Sequence, residues 1–199
     1  MKQSDIYKLH QNQAHGKYKK EMLEIVWTHS LIIKNISLQI AGKLEKDYGI
    51  KTDKNLIEIG ALIHDIGIYE YLDFNFKMKG RHDDLPLRKN YVLHGRTGYE
   101  ILIKEKISKK RARFALTHIG VGYENDIPIS IEEEIVAYAD SFHSKKPVRF
   151  NSYDEEKKIL ESFGQDKCII YERFKDKFGI PDLKALEKKY KEWHMLINN

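Results

Sequence analysis

"IGALIHDIGIYEY", residues 59–71, poses the problem that the rest of the chain must solve. An apolar, helix-like run carries His64 and Asp65 side by side and then breaks at Gly67. Burying an imidazole beside a carboxylate costs free energy unless something compensates. The compensating groups must come from elsewhere in the chain.

The flanking segments are helical in pattern. From Glu21 to Tyr48 apolar residues recur as Leu23, Val26, Trp27, Ile33, Ile36, Ile40 and Leu44, an amphipathic helix with Gly49 as its stop. Asp53 is placed to cap a helix over Lys54–Ile66. Further helices are expected over His94–Lys106, Lys109–Ile119 and Ile131–Phe142, the last capped by Ser130 with Glu133 completing a capping box. Residues 70–91 lose this periodicity and read as a long loop carrying His82, Asp83 and Asp84. Pro147 starts a break. Three more helices are expected over Asp154–Phe163, Gln165–Phe178 and Pro181–Leu196, with Pro181 in a first turn. No period-2 strand series stands out. The fold class is all-α, with an N-terminal helical segment over 1–20, a main domain over 21–146 and a helical extension over 147–199 packed on the same domain.

Composition narrows the classes. A chain of 199 residues, 41% hydrophobic and 11% aromatic, suits a globular domain. No apolar run approaches the roughly 18 residues of a membrane span, and the N-terminus has no secretory apolar core. A single cysteine, Cys168, cannot form an internal disulfide and reads as a buried structural thiol, so a cytoplasmic location is the default. Lys+Arg number 35 against 30 Asp+Glu, a net charge of +5. The densest basic clusters, at Lys17–Lys20, Lys109–Arg113 and Ser144–Arg149, do not interleave with aromatics. Nucleic acid is not the expected partner, whereas a small anionic substrate suits such a surface. A homo-oligomer is left open.

Of nine histidines, four share a setting. His29 follows "EIVWT", His64 lies in "ALIHD", His94 opens "HGRTGYEIL" and His118 ends "RFALTH". "EEIVAYAD" delivers Asp140 in the same way. A single histidine on an apolar helix face is usually a satisfied core residue. Five helical segments that each bring one such group are better explained by a shared divalent cation, held as helical bundles hold metals. His10, His15 and His194 read as surface residues.

The ordered set His29, His64-Asp65, His94, His118 and Asp140, in its "THS", "HDIG", "HGRTG", "LTHIG" and "AYAD" contexts, resembles the HD superfamily of metal-dependent phosphohydrolases over about residues 21–145. The resemblance implies an HD-domain helical bundle. It implies that His29, His64 and Asp140 bind a first metal, that Asp65 bridges, and that His94 and His118 bind a second. Possession of both middle histidines is similar to the dinuclear branch. That branch includes bacterial HD-type diadenosine tetraphosphate hydrolases, which look closest, HD-GYP cyclic dinucleotide phosphodiesterases, and more distantly di-iron oxygenases. The "GYP" hallmark is absent, and Ile68 stands where many dinuclear members have a lysine.

The implied activity is cleavage of a phosphoester or phosphoanhydride bond of a nucleotide-like or other small phosphorylated substrate by a metal-activated hydroxide. The alternatives are a di-iron oxygenase with the same ligands and a non-enzymatic module on the same scaffold. Two divalent transition metals are expected, iron or manganese favoured, with Co, Ni, Zn or Mg as alternatives. Asp65 is the central catalytic residue. His143, three residues after Asp140, is a candidate proton donor to the leaving group. Arg96, Lys145, Lys146 and Arg149 are candidate phosphate contacts.

Overall fold

The 30-residue helix α2 (Lys19–Tyr48) is the central post of the bundle, against which several other elements pack. The computed structural model describes residues 1–71, 92–122, 125–145, 147–162 and 164–198. In chain order the remaining helices are α1 (Gln3–Gln13), α3 (Lys54–Ile63), α4 (His94–Lys104), α5 (Lys109–Thr117), α6 (Ile131–Asp140), α7 (Tyr153–Glu161), α8 (Gln165–Phe178) and α9 (Lys184–Asn198). Strands β1 (His143–Lys145) and β2 (Val148–Phe150) form an antiparallel ribbon that pairs His143 with Phe150 and Lys145 with Val148. The chain is thus a helical bundle, as its periodicity predicts. The ribbon is the departure: strands of three residues are too short to show a period-2 pattern, and Pro147 lies in the turn between them. Among the described residues no helix is long and apolar enough to cross a membrane.

Two large apolar cores share α2, and a small third one joins its Ile25 to Val148 and Ile197. One large core joins the second half of α2 to α6, α7 and α8 through residues such as Ile36, Tyr138, Tyr171 and Phe174. The other joins its first half to α1, α3, α4 and α5 through Ile6, Val26, Ile63, Leu102 and Ala115. Cys168 is buried in the first core, the setting expected of a structural thiol.

Several helix ends differ from the sequence reading, each for a local reason. Gly49 does end α2, at φ 68°, and the Asp53 carboxylate does cap α3 by accepting from the Leu56 N–H at 2.9 Å. However, α3 stops at Ile63, not Ile66. Residues 64–67 tighten into turns closed by Ile66 N–H to Ile63 O (3.1 Å) and Ile68 N–H to Asp65 O (3.0 Å). α5 ends one residue before His118, and α6 ends at Asp140. Ser130 caps α6, but Glu133 does not close the capping box. Its carboxylate turns to Arg113 (2.9 Å) and the Ile129 N–H (2.9 Å). Pro181 stands before α9, not in its first turn, because Gln39 holds the Asp182 backbone from both sides, at 2.9 and 3.0 Å. Most of the expected 70–91 loop, Phe163 and Lys146 lie outside the described residues.

Gly67 breaks α3 for a different reason than a left-handed turn. Its φ is −82°, open to any residue. A Cβ there would lie 2.2 Å from the His94 carbonyl oxygen and 2.3 Å from the Gly98 nitrogen. The glycine lets the His64-Asp65 turn touch the backbone of α4. His10, expected at the surface, is instead fully buried. Its Nε2–H donates to Leu62 O at 2.8 Å, which leaves Nδ1 to accept from the Tyr69 hydroxyl at 2.9 Å. α1 therefore clamps the turn from behind.

Gly67→Ala is expected to destabilise the chain by about 1–3 kcal/mol or more, because the clash is with backbone and only a shift of α4 relieves it. Urea unfolding checks this. Burial pushes the His10 imidazole down from the ordinary 6.5 to about 4. The unfolded chain therefore binds a proton more readily across that window, so stability falls as pH drops from 6.5 to 4, by up to about 3 kcal/mol. Urea midpoints against pH should show a flatter acid limb in His10→Gln.

Candidate metal centre

α2, the turn after α3, the start of α4, the end of α5 and the end of α6 all send polar groups to a single point. The turn contributes two, since His64 is the C-cap residue of α3 and Asp65 follows it. Close helix approach makes this convergence sterically allowed. A Cβ at Gly60 would lie 2.3 Å from the Phe114 ring, so α3 and α5 meet across a glycine and bring His118 up to His64.

The two oxygens of Asp65 face different pairs of imidazoles. Oδ2 lies 3.3 Å from His29 Nε2 and 3.4 Å from His64 Nε2. Oδ1 lies 3.2 Å from His94 Nε2 and 3.4 Å from His118 Nε2. Asp140 Oδ1 joins the first pair, 2.9 Å from His29 Nε2 and 3.3 Å from His64 Nε2. His29, His64 and Asp140 have donor atoms within 4.8 Å of one another, and so do His64, Asp65 and His118. The second of these sets contains His64 instead of His94. His94 Nε2 nonetheless lies 2.9 Å from His118 Nε2, so it belongs to the same cluster.

The backs of these rings are tied down. Nδ1–H of His64 donates to Ala61 O at 2.7 Å, and Nδ1–H of His118 donates to Phe114 O at 3.3 Å. Their Nε2 atoms are therefore the ones turned towards Asp65 and offered to a cation. Outer contacts of this kind orient metal-binding histidines and set their tautomer. Both Asp65 oxygens are fully buried, and outside the Lys145 ion pair no well-aligned hydrogen bond reaches them. A carboxylate so placed, with two imidazole nitrogens at each oxygen, fits divalent cations and is costly without a positive charge.

Protein charges supply part of that positive charge. Lys145 Nζ lies 2.6 Å from Asp65 Oδ2 and 3.2 Å from His29 Nε2. Burial opposes the charge on Asp65 and Asp140, but the Lys145 ammonium and the His64 ring hold both carboxyls well below the usual carboxylate range. Burial pushes His29 and His118 down to about 4, which keeps them neutral near pH 7. Burial also opposes charge on His64, yet Asp65 and Asp140 outweigh it and push that ring up to about 10.

Not every sequence candidate reaches the cluster. Lys145 does. Arg149 lies on the outer face of the ribbon and pairs with Glu155 at 2.7 Å, and Arg96 lies 3.4 Å from Asp126, half exposed. Neither side chain reaches the His/Asp cluster itself. Lys146 lies outside the described residues, as do His82, Asp83 and Asp84. His143 is not on a continued helix α6 but on β1, behind His29. Its two ring nitrogens lie 2.9 Å from His29 Nδ1 and 3.1 Å from His194 Nε2, so it faces away from the donor cluster. His194 reads from sequence as a surface residue and is half-buried against the site's rear wall. Glu156 on α7 is a further titratable group near Asp140. Burial and the Asp140 charge push its carboxyl up to about 8, with Lys145 opposing. Nothing in "YDEEKK" marks Glu156 apart from its acidic neighbours.

Comparison with known proteins bears on the same residues. The family model described as HD domain matches residues 26–145, more than half of the chain. An uncharacterized protein of Methanocaldococcus jannaschii is 29% identical over 130 residues, which cover 59% of this chain and 66% of that protein. The dihydroneopterin 2',3'-cyclic phosphate phosphodiesterase of the same organism is 30% identical over 132 residues, covering 66% of this chain and 49% of that enzyme. The chain thus spans about two thirds of one relative's length and half of the other's. Among solved structures, the HD domain of the L. monocytogenes phosphodiesterase PgpH aligns over 93% of this chain and 98% of its own, with TM-score 0.56 and 18% identity. The same domain in complex with cyclic-di-AMP gives a TM-score of 0.54 at 16% identity, over 94% of this chain and 97% of its own.

A divalent cation at this cluster competes with the proton on His64. Since that ring is held up to about 10, metal affinity should rise with pH from 6.5 to 8.5, by roughly tenfold per unit for one displaced proton. Binding isotherms at three pH values check the slope, and a flat profile would contradict it.

Proposed function

The chain belongs to the HD domain family, and from that premise we propose that it is a metal-dependent phosphohydrolase acting on a small, nucleotide-like phosphoester. The observation that carries this is the division of Asp65, one oxygen to His29 and His64 and the other to His94 and His118. We read it as a dinuclear centre. His29, His64 and Asp140 would hold one cation, His94 and His118 the other, and Asp65 would bridge. Iron or manganese is the favoured pair. Imidazole and carboxylate donors equally accept Co, Ni or Zn, and Mg remains the hard-cation alternative.

Divalent cations bound there would polarise phosphoryl oxygens and lower the pKa of a water towards neutrality. The chain's own part is positioning and charge. Nδ1 contacts hold the ring nitrogens in place, so little reorganisation is needed when a substrate arrives. Lys145 brings the one ammonium that reaches Asp65 among the described residues. We assign it to a phosphoryl oxygen, where it serves in place of the cation missing at Ile68, whose side chain is fully buried. Burial of His29, His64 and Asp65 excludes water from the rear of the site, which strengthens each of these interactions.

Phosphodiesters, cyclic phosphates foremost, are the favoured class. The support is chemical likeness to relatives named as a cyclic phosphate phosphodiesterase and as a phosphodiesterase domain crystallised with cyclic-di-AMP. Dinucleoside polyphosphates are the second class. The oxygenase alternative is not favoured, since these relatives act on phosphate esters.

A product-release screen would cover 2',3'-cyclic nucleotides, cyclic dinucleotides, dinucleoside polyphosphates and phosphomonoesters, with Mn, Fe, Co, Ni, Zn and Mg in turn. Metal-dependent turnover is expected, falling by roughly 10³-fold or more in Asp65→Ala. Lys145→Ala should lower kcat/KM by about 10²-fold while metal content holds. Oxygen consumption without ester cleavage, or turnover that survives in Asp65→Ala, would refute the assignment.

A further inference from the structure

We infer that His194, on the C-terminal helix α9, is a positioning residue for the metal ligand His29 and acts on it through His143. The inference rests on the reading of His29 as a ligand through Nε2. Three imidazoles form an unbroken line from the cluster outwards. His29 Nδ1 lies 2.9 Å from His143 Nδ1, and His143 Nε2 lies 3.1 Å from His194 Nε2. The ring centroids are 5.2 and 5.3 Å apart, with interplanar angles of 36° and 26°. Each centroid separation exceeds its N···N distance by about the width of an imidazole ring. The nitrogens therefore face each other along the line of centres, edge to edge and not stacked face to face, as a hydrogen bond requires.

This geometry couples the three tautomers. A neutral imidazole has one N–H and one lone pair. If the His29 lone pair on Nε2 faces a cation, its proton is on Nδ1 and is donated to His143 Nδ1. His143 then carries its own proton on Nε2 and donates it to His194 Nε2. His194, in turn, holds its proton on Nδ1. His143 is 2% exposed, so water does not replace His194 as the acceptor. Without that acceptor the proton of His143 is free to sit on Nδ1, where two donors would confront each other across the His29 contact. Phe150 makes T-shaped contacts with both His143 and His194 (5.1 and 5.2 Å between centroids) and keeps the line in register. The C-terminal helix lies outside residues 26–145, so the metal centre draws on a part of the chain that the family model does not include.

The test uses the full chain loaded with zinc, which is diamagnetic. Long-range ¹H–¹⁵N correlation spectra of the histidine rings should show His29 and His194 protonated at Nδ1 and His143 at Nε2. Zinc isotherms then address the binding step that His29→Ala abolishes. His194→Leu keeps bulk but offers no acceptor, and it should weaken that step by about tenfold. His194→Gln restores an acceptor and should bind close to wild type. A His143 ring protonated at Nδ1 in the wild-type chain overturns the proposal, as does equal binding by the Leu and Gln variants. If His29→Ala binds as much zinc as wild type, the ligand reading itself has failed, and the proposal loses its premise.

Discussion

Two carboxylates buried among imidazoles are the constraint on which the structure turns. Asp65 is fully enclosed, and Asp140 is part-buried, its side chain 18% exposed. Desolvating them is expensive, and the bundle offsets it in layers. The Lys145 ammonium stands closest to Asp65, at 2.6 Å, and the Nε2 atoms of His94, His29, His64 and His118 surround the carboxylate at 3.2–3.4 Å. Beyond the Lys145 ion pair on Oδ2, the arrangement leaves the Asp65 oxygens without a well-aligned hydrogen bond. A site built at that cost and left incomplete by protein groups is suited to cations, and this is why the geometry bears so directly on the chemistry.

The helices serve this point by ending at it. α3 stops before His64, α5 before His118, and α6 at Asp140, so the polar groups leave the apolar ladders where they are needed. Gly60 and Gly67 are the sites of closest approach, to the Phe114 ring and the α4 backbone respectively. Both glycines are conformationally ordinary, and what they contribute is the absence of a side chain.

Outer support comes from both ends of the chain. From the N-terminal side His10 fixes the Leu62 carbonyl and Tyr69 behind the turn. From the C-terminal side the ribbon brings Lys145 and His143 to His29, and α9 adds His194. The segments before and after the family-matched region are therefore joined to the centre by hydrogen bonds as well as by apolar packing.

The helical class, the Asp53 and Ser130 caps, the Gly49 stop and the six-residue set His29, His64, Asp65, His94, His118 and Asp140 were all legible in the sequence. They are local patterns, or an order of residue types along the chain. The tertiary structure alone decided which Asp65 oxygen faces which rings, that Lys145 enters while Arg149 turns out, and that His143 stands behind His29. The same holds for the burial of His10 and the contact of His194. These are pairings across long stretches of chain, 114 residues between His29 and His143 and 59 between His10 and Tyr69. Local periodicity carries no information about them, because it is the packing of helices, set by glycines and apolar faces, that brings such groups within hydrogen-bonding distance.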